Sequence, residues 1–154
     1  MRISRASTYA IGAILQLAEA PVGVPVPCSR LAKLGEMPER FLLQVLRNLV
    51  NHGILKSTRG VDGGYSLSRP ASEITLLQIL EATDGPLSPV VPPLECIAQT
   101  SRQKLHEILH DITATTCKNL SQVGVLQLLP DQAGNFQAEA TQQDNNLLNT
   151  AGME

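Results

Sequence analysis

The sequence predicts a mainly α fold with one small β-hairpin: a compact N-terminal domain followed by a long helix. Three observations carry this. Residues 55 to 67 read as a basic, glycine-tipped hairpin, with Ile54, Leu55, Tyr65 and Leu67 supplying strand-forming apolar residues around Gly60, Gly63 and Gly64. The segments on either side place apolar residues at helical spacing between clear start and stop signals. Aromatic residues make up only 3% of the chain and Trp is absent, so the core must be packed from Leu, Ile, Val and Ala, which suits small packed helices.

Each element follows from its residues. Tyr9, Ala10, Ala13, Ile14 and Leu17 recur at helical spacing, predicting a first helix from about Ser4 to Glu19 that Pro21 ends. Ser29 can cap a short second helix through Arg30 to Leu34, closed by Gly35, because a hydroxyl accepts from the free amides of a first turn. Pro38 suits the first position of a third helix, where its missing N–H costs nothing, and Gly53 is a natural stop after His52. Leu42, Val45, Leu46 and Leu49 form the buried side of that helix. Arg40, Gln44, Arg47 and Asn51, at offsets of four, seven and eleven, form its exposed face, and Leu43 lies between the two arginines. In the hairpin, all three glycines are expected to take positive backbone angles that side chains would forbid.

A short capped helix, a tight turn, a polar-faced helix and a basic hairpin, in that order, compose a winged helix-turn-helix, which sets its second helix in the major groove of DNA. Arginine can take both acceptors of guanine, and Gln or Asn can pair with adenine through two bonds. Arg59, at the base of the hairpin tip, carries a planar cationic fork suited to phosphate or a narrow minor groove. A bare helix face of this composition is usually just solvated surface; its position between the short helix and the hairpin is what points to double-stranded DNA. Charge agrees. Residues 1 to 70 hold nine Lys and Arg against four Asp and Glu, whereas residues 71 to 154 hold three against ten, so the net charge of −2 conceals a basic first half.

Length bounds what else the chain could be. At 154 residues it accommodates one domain and an appendage. No nucleophile with a placed base, phosphate loop or paired-carboxylate pocket emerges, so an enzyme is not expected. No 18-residue apolar run provides a membrane span, and residues 1 to 9 lack the apolar core of a secretion signal. Three widely separated cysteines favour a reducing, cytoplasmic setting.

Beyond the hairpin, Thr75 and Gln78 are placed as a capping-box pair opening a helix that stops at Asp84-Gly85-Pro86, after which Pro89, Pro92 and Pro93 make a stiff linker. From about Ile97 to Thr116 the chain is helical again, with a stripe of Ile97, Ser101, Leu105, Ile108, Leu109 and Ile112 that must be buried on something. Residues 131 to 154 are rich in Gln, Asn, Ala and Asp, too polar to offset their ordering entropy, and are expected to be disordered. The organisation expected is a DNA-binding domain over 1–85, a Pro-rich linker over 86–96, the long helix and a short C-terminal helix over 97–129, and the tail from 130 to 154.

With these motifs in order, the chain resembles the bacterial Rrf-two family of winged helix-turn-helix transcription regulators over about residues 1 to 125. The likeness rests on Met1-Arg2-Ile3-Ser4 with Tyr9-Ala10, on Arg59-Gly60 to Gly63-Gly64-Tyr65-Ser66-Leu67, and on Glu73 to Ala82 followed by Asp84-Gly85-Pro86-Leu87. It implies a homodimer, probing a partly palindromic operator with two winged helices, in which Leu105, Ile108, Leu109 and Ile112 of the long dimerisation helix meet a second subunit. Packing of that stripe on its own domain is the alternative. The DNA contact set so implied comprises Arg40, Gln44 and Arg47 for base readout and Ser4, Arg5, Tyr9, Ser57 and Arg59 for the backbone. Ser29, Pro38, Glu39, Phe41, Gly60, Gly63, Gly64 and Tyr65 complete it.

Members of that family that sense through an iron-sulfur cluster carry three closely spaced cysteines before the long helix. Here only Cys96 stands there; Cys117 follows 21 residues later, ~30 Å along a continuous helix. Thr8 and Gly12 occupy the positions where ligands from the partner's first helix would be expected. The expectation is therefore no cofactor, with a cluster as the alternative, and Cys96 and Cys117 are the sensor candidates. Glu95 beside Cys96 opposes thiolate formation. His106 and His110 share a helix face but are read as unliganded. The function expected is a homodimeric, sequence-specific transcription regulator acting as a repressor. The alternative is a winged-helix protein-interaction module without operator binding.

Overall fold

Ser4 opens the first helix: its hydroxyl accepts from the Ser7 amide at 3.1 Å, and α1 runs Arg5–Glu19. In the computed structural model, which describes residues 3–89 and 97–130, the chain continues through α2 (Cys28–Leu34), α3 (Glu39–Asn51), β1 (Leu55–Thr58), β2 (Gly64–Leu67), a 3-10 turn at Ala71–Glu73, α4 (Leu76–Asp84), α5 (Gln99–Gln122) and a final 3-10 turn at Val125–Leu128. Cys96, most of the predicted linker and the polar tail from residue 131 lie outside the described residues.

The α1 stripe is buried as expected at Ala10, Ala13, Ile14 and Leu17, and packs against Leu31 of α2, Leu42, Leu46 and Leu49 of α3, and Ile79 of α4. Two helix starts differ from expectation. Ser29 does not cap α2, which begins two residues earlier than expected, at Cys28 behind Pro27, and no side chain among the described residues caps it. Pro38 occupies the capping position of α3 rather than its first turn, with its carbonyl taking the amides of Phe41 and Leu42. Proline serves at both starts because an N-cap needs extended backbone and no N–H. The capping box of α4 forms in full: Gln78 N donates to Thr75 Oγ1 and Thr75 N donates to Gln78 Oε1.

β1 and β2 pair antiparallel with Leu55 opposite Leu67 and Ser57 opposite Tyr65. Val26, in the loop before α2, adds a third rung: its amide donates to the Tyr65 carbonyl at 2.8 Å, and the Tyr65 amide donates back at 2.9 Å. The glycines behave differently from one another. Gly60 takes a positive φ of 113°, but Gly63 and Gly64 do not. Their lack of a side chain matters because the backbone of Thr58 and Gly60 crowds Gly63, and that of Val26 crowds Gly64; an added Cβ would overlap either.

α5 continues to Gln122, past the predicted stop at Thr116, so Cys117 is helical. No Gly or Pro interrupts it, and Thr113 and Thr116 return their hydroxyls to carbonyls one turn back instead of breaking it. Its last turn comes home to the winged domain. Leu120 is its one buried residue; beyond it Val123 accepts from Leu76 N at 2.8 Å, and Val125 N donates to the Ile74 carbonyl at 3.0 Å. Val125 is fully enclosed in the same core as Ile14 and Ile79.

Candidate nucleic-acid interface

α3 separates its faces cleanly. Leu42, Val45, Leu46 and Leu49 are buried, and Arg40, Gln44, Arg47 and Asn51 are exposed, which leaves two cations and two amides free along one side. Leu43, between the arginines, is half-buried. Phe41 is partly exposed and meets the Tyr9 ring edge-to-face at 5.7 Å, so α1 steadies the N-terminal end of α3 through an aromatic pair. Glu39, in the first turn of α3, and Ser29, on α2, are both exposed.

The hairpin presents Ser57, Thr58, Arg59, Gly60, Val61 and Asp62 to solvent, and the tip closes through a hydrogen bond from Gly63 N to the Gly60 carbonyl. Its root is held to the helices. Tyr65, bridged to Val26 through its backbone, has its phenol pushed up in pKa by burial and by the neighbouring Cys28 thiol, with Arg47 acting in the opposite direction. The Cys28 thiol is itself pushed up by burial and then by Glu39. Tyr65 and Cys28 both pack, partly buried, against the common core, where the Val26 bridge ties the wing to the loop before α2. At the exit of the wing, Arg69 donates to the Gly53 carbonyl and to Gln78 Oε1, while Ser68 donates to the carbonyls of Gly53 and Ile54.

At the start of α1, the candidate contact residue Ser4 is already engaged. Its hydroxyl donates to Asp84 Oδ1 at 2.6 Å, and Ser7, fully buried, donates to Asp84 Oδ2 at 2.8 Å beside Thr83. This ties the start of α1 to the end of α4 and leaves Arg5 exposed as the first residue of the helix. Sequence reasoning missed this network and the Val26 bridge. The alternation of Val24-Pro25-Val26-Pro27 was the available hint of a further strand.

The stripe on α5 behaves unlike the others. Ile108 and Ile112 are 57% and 56% exposed, and Leu105 and Leu109 are half-buried.

A family model described as Rrf2, iron-dependent transcriptional regulator, matches residues 3–131, most of the chain. The chain belongs to the Rrf2 family. This is a family of transcription regulators rather than enzymes, and the mostly helical fold with a two-stranded hairpin is its winged-helix architecture. An HTH-type transcriptional regulator of Mycobacterium tuberculosis is 41% identical over 90 residues, 58% of this chain and 56% of that protein. The HTH-type transcriptional regulator CymR of Bacillus subtilis is 33% identical over 90 residues, 58% of this chain and 65% of that one. The solved structure of that protein, the global cysteine regulator of its organism, superposes with a TM-score of 0.66 at 27% identity, covering 83% of this chain and 95% of the other. The matched stretches span less than two thirds of these curated relatives' own length.

The iron in the Rrf2 description finds no assembled donor set here: among the described residues no three His, Cys, Asp or Glu side chains come together. Cys28 and Cys117 are half-buried free thiols on separate helices, and Cys96 lies outside the described residues. Among the described residues, no helix is long and apolar enough to cross a membrane.

Proposed function

We propose that the protein is a homodimeric, sequence-specific DNA-binding repressor of the cytoplasm. The observation that carries this is the α3 face, where Arg40, Gln44 and Arg47 stand free of the core on a helix braced by Phe41–Tyr9 on one side and by the wing root on the other. Side chains that read bases must be solvent-exposed in the free protein and mounted on a rigid element, and these are. Arg59, at the exposed end of the hairpin, reaches the flanking backbone or minor groove, with Ser57 and the N-terminal turn of α1 alongside.

The dimer is supported by α5. A 24-residue helix with two isoleucines more than half exposed leaves an apolar stripe in water, and a second copy of the same helix offers its self-complementary cover. Two copies present two α3 helices to a two-fold-symmetric operator.

Selection from a pool of random duplexes, run alongside sedimentation of the free protein, tests both parts. The expected outcome is an enriched palindrome bound by a dimer. A pool without enrichment, at a salt concentration where nonspecific binding is weak, would reduce the protein to an interaction module that keeps the winged fold.

A further inference from the structure

The first turn of α1 is held differently from the rest of the helix. From Ala10 onward α1 is seated by apolar burial at Ala10, Ala13, Ile14 and Leu17, but ahead of Ala10 its one buried residue is Ser7. The Ser7 hydroxyl donates to Asp84 Oδ2 at 2.8 Å, and the hydroxyl of Ser4, which caps the helix, donates to Asp84 Oδ1 at 2.6 Å. Thr83 Oγ1, 2.7 Å from Ser7 Oγ, completes the group. A carboxylate accepts both bonds at once, one on each oxygen, which fixes its orientation as well as its position.

The placement of this charge suits α1 and not α4. Asp84 is the last residue of α4, where the helix carbonyls disfavour a carboxylate, but it stands against the start of α1, whose amides favour one. That start borders the reading helix. Tyr9 meets the Phe41 ring at 5.7 Å, Phe41 follows Arg40 in the first turn of α3, and Arg5 lies on the Tyr9 side of α1 one turn earlier, ~6 Å along the axis. Arg5 is exposed, so α1 sets a guanidinium beside the Arg40 end of the α3 face. A cation on a frayed helix end must be ordered when it meets a phosphate, whereas one on a fixed end has already lost that freedom.

We propose that Asp84 is a positioning residue for DNA binding: through Ser4 and Ser7 its carboxylate clamps the first turn of α1, so that Arg5 meets a backbone phosphate beside the α3 face. The part played by Arg5 rests on the DNA-binding function proposed above; the clamp on α1 does not. The negative charge of Asp84 itself opposes DNA at long range, so its removal alone should not weaken binding. Asp84→Asn makes that change and keeps the clamp, because the amide oxygen accepts from one hydroxyl and the amide nitrogen donates to the other. Asp84→Ala removes charge and clamp together.

These two variants, equal in net charge, are compared in the full-length protein, with Arg5 present and with Arg5→Ala, on the duplex that the wild type selects and over a series of salt concentrations. Asp84→Ala should bind about fivefold more weakly than Asp84→Asn, the equivalent of one net hydrogen bond, and with a shallower salt dependence. Arg5→Ala should abolish both differences. Equal affinity and salt dependence in Asp84→Ala and Asp84→Asn, or a difference that persists without Arg5, overturns Asp84 as a positioning residue. The clamp is read without DNA: the Thr8 amide, bonded to the Ser4 carbonyl at 3.0 Å, should exchange its hydrogen about tenfold faster in Asp84→Ala than in Asp84→Asn. Equal exchange overturns the clamp. A wild-type protein that selects no DNA sequence, with that difference in exchange intact, counts against the repressor and not against the clamp.

Discussion

Gly64→Ala should be among the most damaging single-methyl changes available to this protein. The position takes no unusual backbone angle, so the loss is purely one of space: the new Cβ meets the carbonyl of Val26, which is backbone and cannot rotate aside. Relief requires the loop before α2 to move off β2, and that movement gives up the paired bonds between Val26 and Tyr65, 2.8 and 2.9 Å long. At about 1 kcal/mol net per bond, with Val26 losing part of its burial, the loss is about 3 kcal/mol. The entropy that alanine removes from the unfolded chain returns about 0.5 to 1 kcal/mol, leaving a net destabilisation of about 2 to 2.5 kcal/mol. Gly12→Ala is the control. It lies within α1, its Cβ would meet nothing within 4 Å, and its replacement should stabilise the protein by about 0.5 to 1 kcal/mol. Urea unfolding of both variants at one protein concentration measures the difference as a change of midpoint at constant slope. If Gly64→Ala unfolds within about 0.5 kcal/mol of wild type, well inside the roughly 3 kcal/mol at stake, the wing is not stitched to the α2 loop in the way described.

Arg47→Ala should cost about 1 to 3 kcal/mol of operator affinity and relax the base preference at one position in each half-site, measured by repeating the selection with the variant. Arg59→Ala should weaken all sequences alike and lower the slope of log affinity against log salt by about one; an unchanged slope removes Arg59 from the phosphate contacts. Ile108→Glu with Ile112→Glu should convert the dimer to a folded monomer in sedimentation, since both side chains are exposed in the isolated chain and the change leaves the core untouched. Cys28 should react slowly with iodoacetamide at neutral pH, because burial and Glu39 raise its pKa. Since Cys28 and Tyr65 both favour their protonated forms in the fold, their contribution to stability is complete at neutral pH and is lost as the pH rises through their raised values, so the unfolding midpoint should fall only in the alkaline range. A fall in the midpoint already between about pH 6 and 8, below the ordinary range of either group, would assign the dependence to other groups.

What could be seen from the residues alone was local. The two faces of α3 follow from a repeat within one helix, and the Thr75–Gln78 box from residues three apart. Hairpin pairing required only neighbouring segments with glycines between them. What could not be seen was set by partners far along the chain. Asp84 joins Ser4 and Ser7 across about eighty residues, and nothing in the sequence near any of them announces the match. Gly64 reads as a residue needed for its backbone angle; that Val26 crosses it is a fact of tertiary packing. Val125 reads as part of a C-terminal appendage, yet it fills a hole in the core because Ile74 and Leu76 offer free backbone groups beside it.

The return of the chain at Val123–Val125 makes α5 a lever. Its inner end is pinned at Leu120 and by the bonds to Leu76 and Ile74, whereas the helix extends ~30 Å from there to Gln99. A tilt of about 5° at the pin carries the far end through ~3 Å over that length. In the reverse direction, a grip on the far end delivers torque to the winged head with little slack, because the pin is built into the head's own core. Forces applied along the arm and small changes beneath the pin are thus mechanically exchangeable.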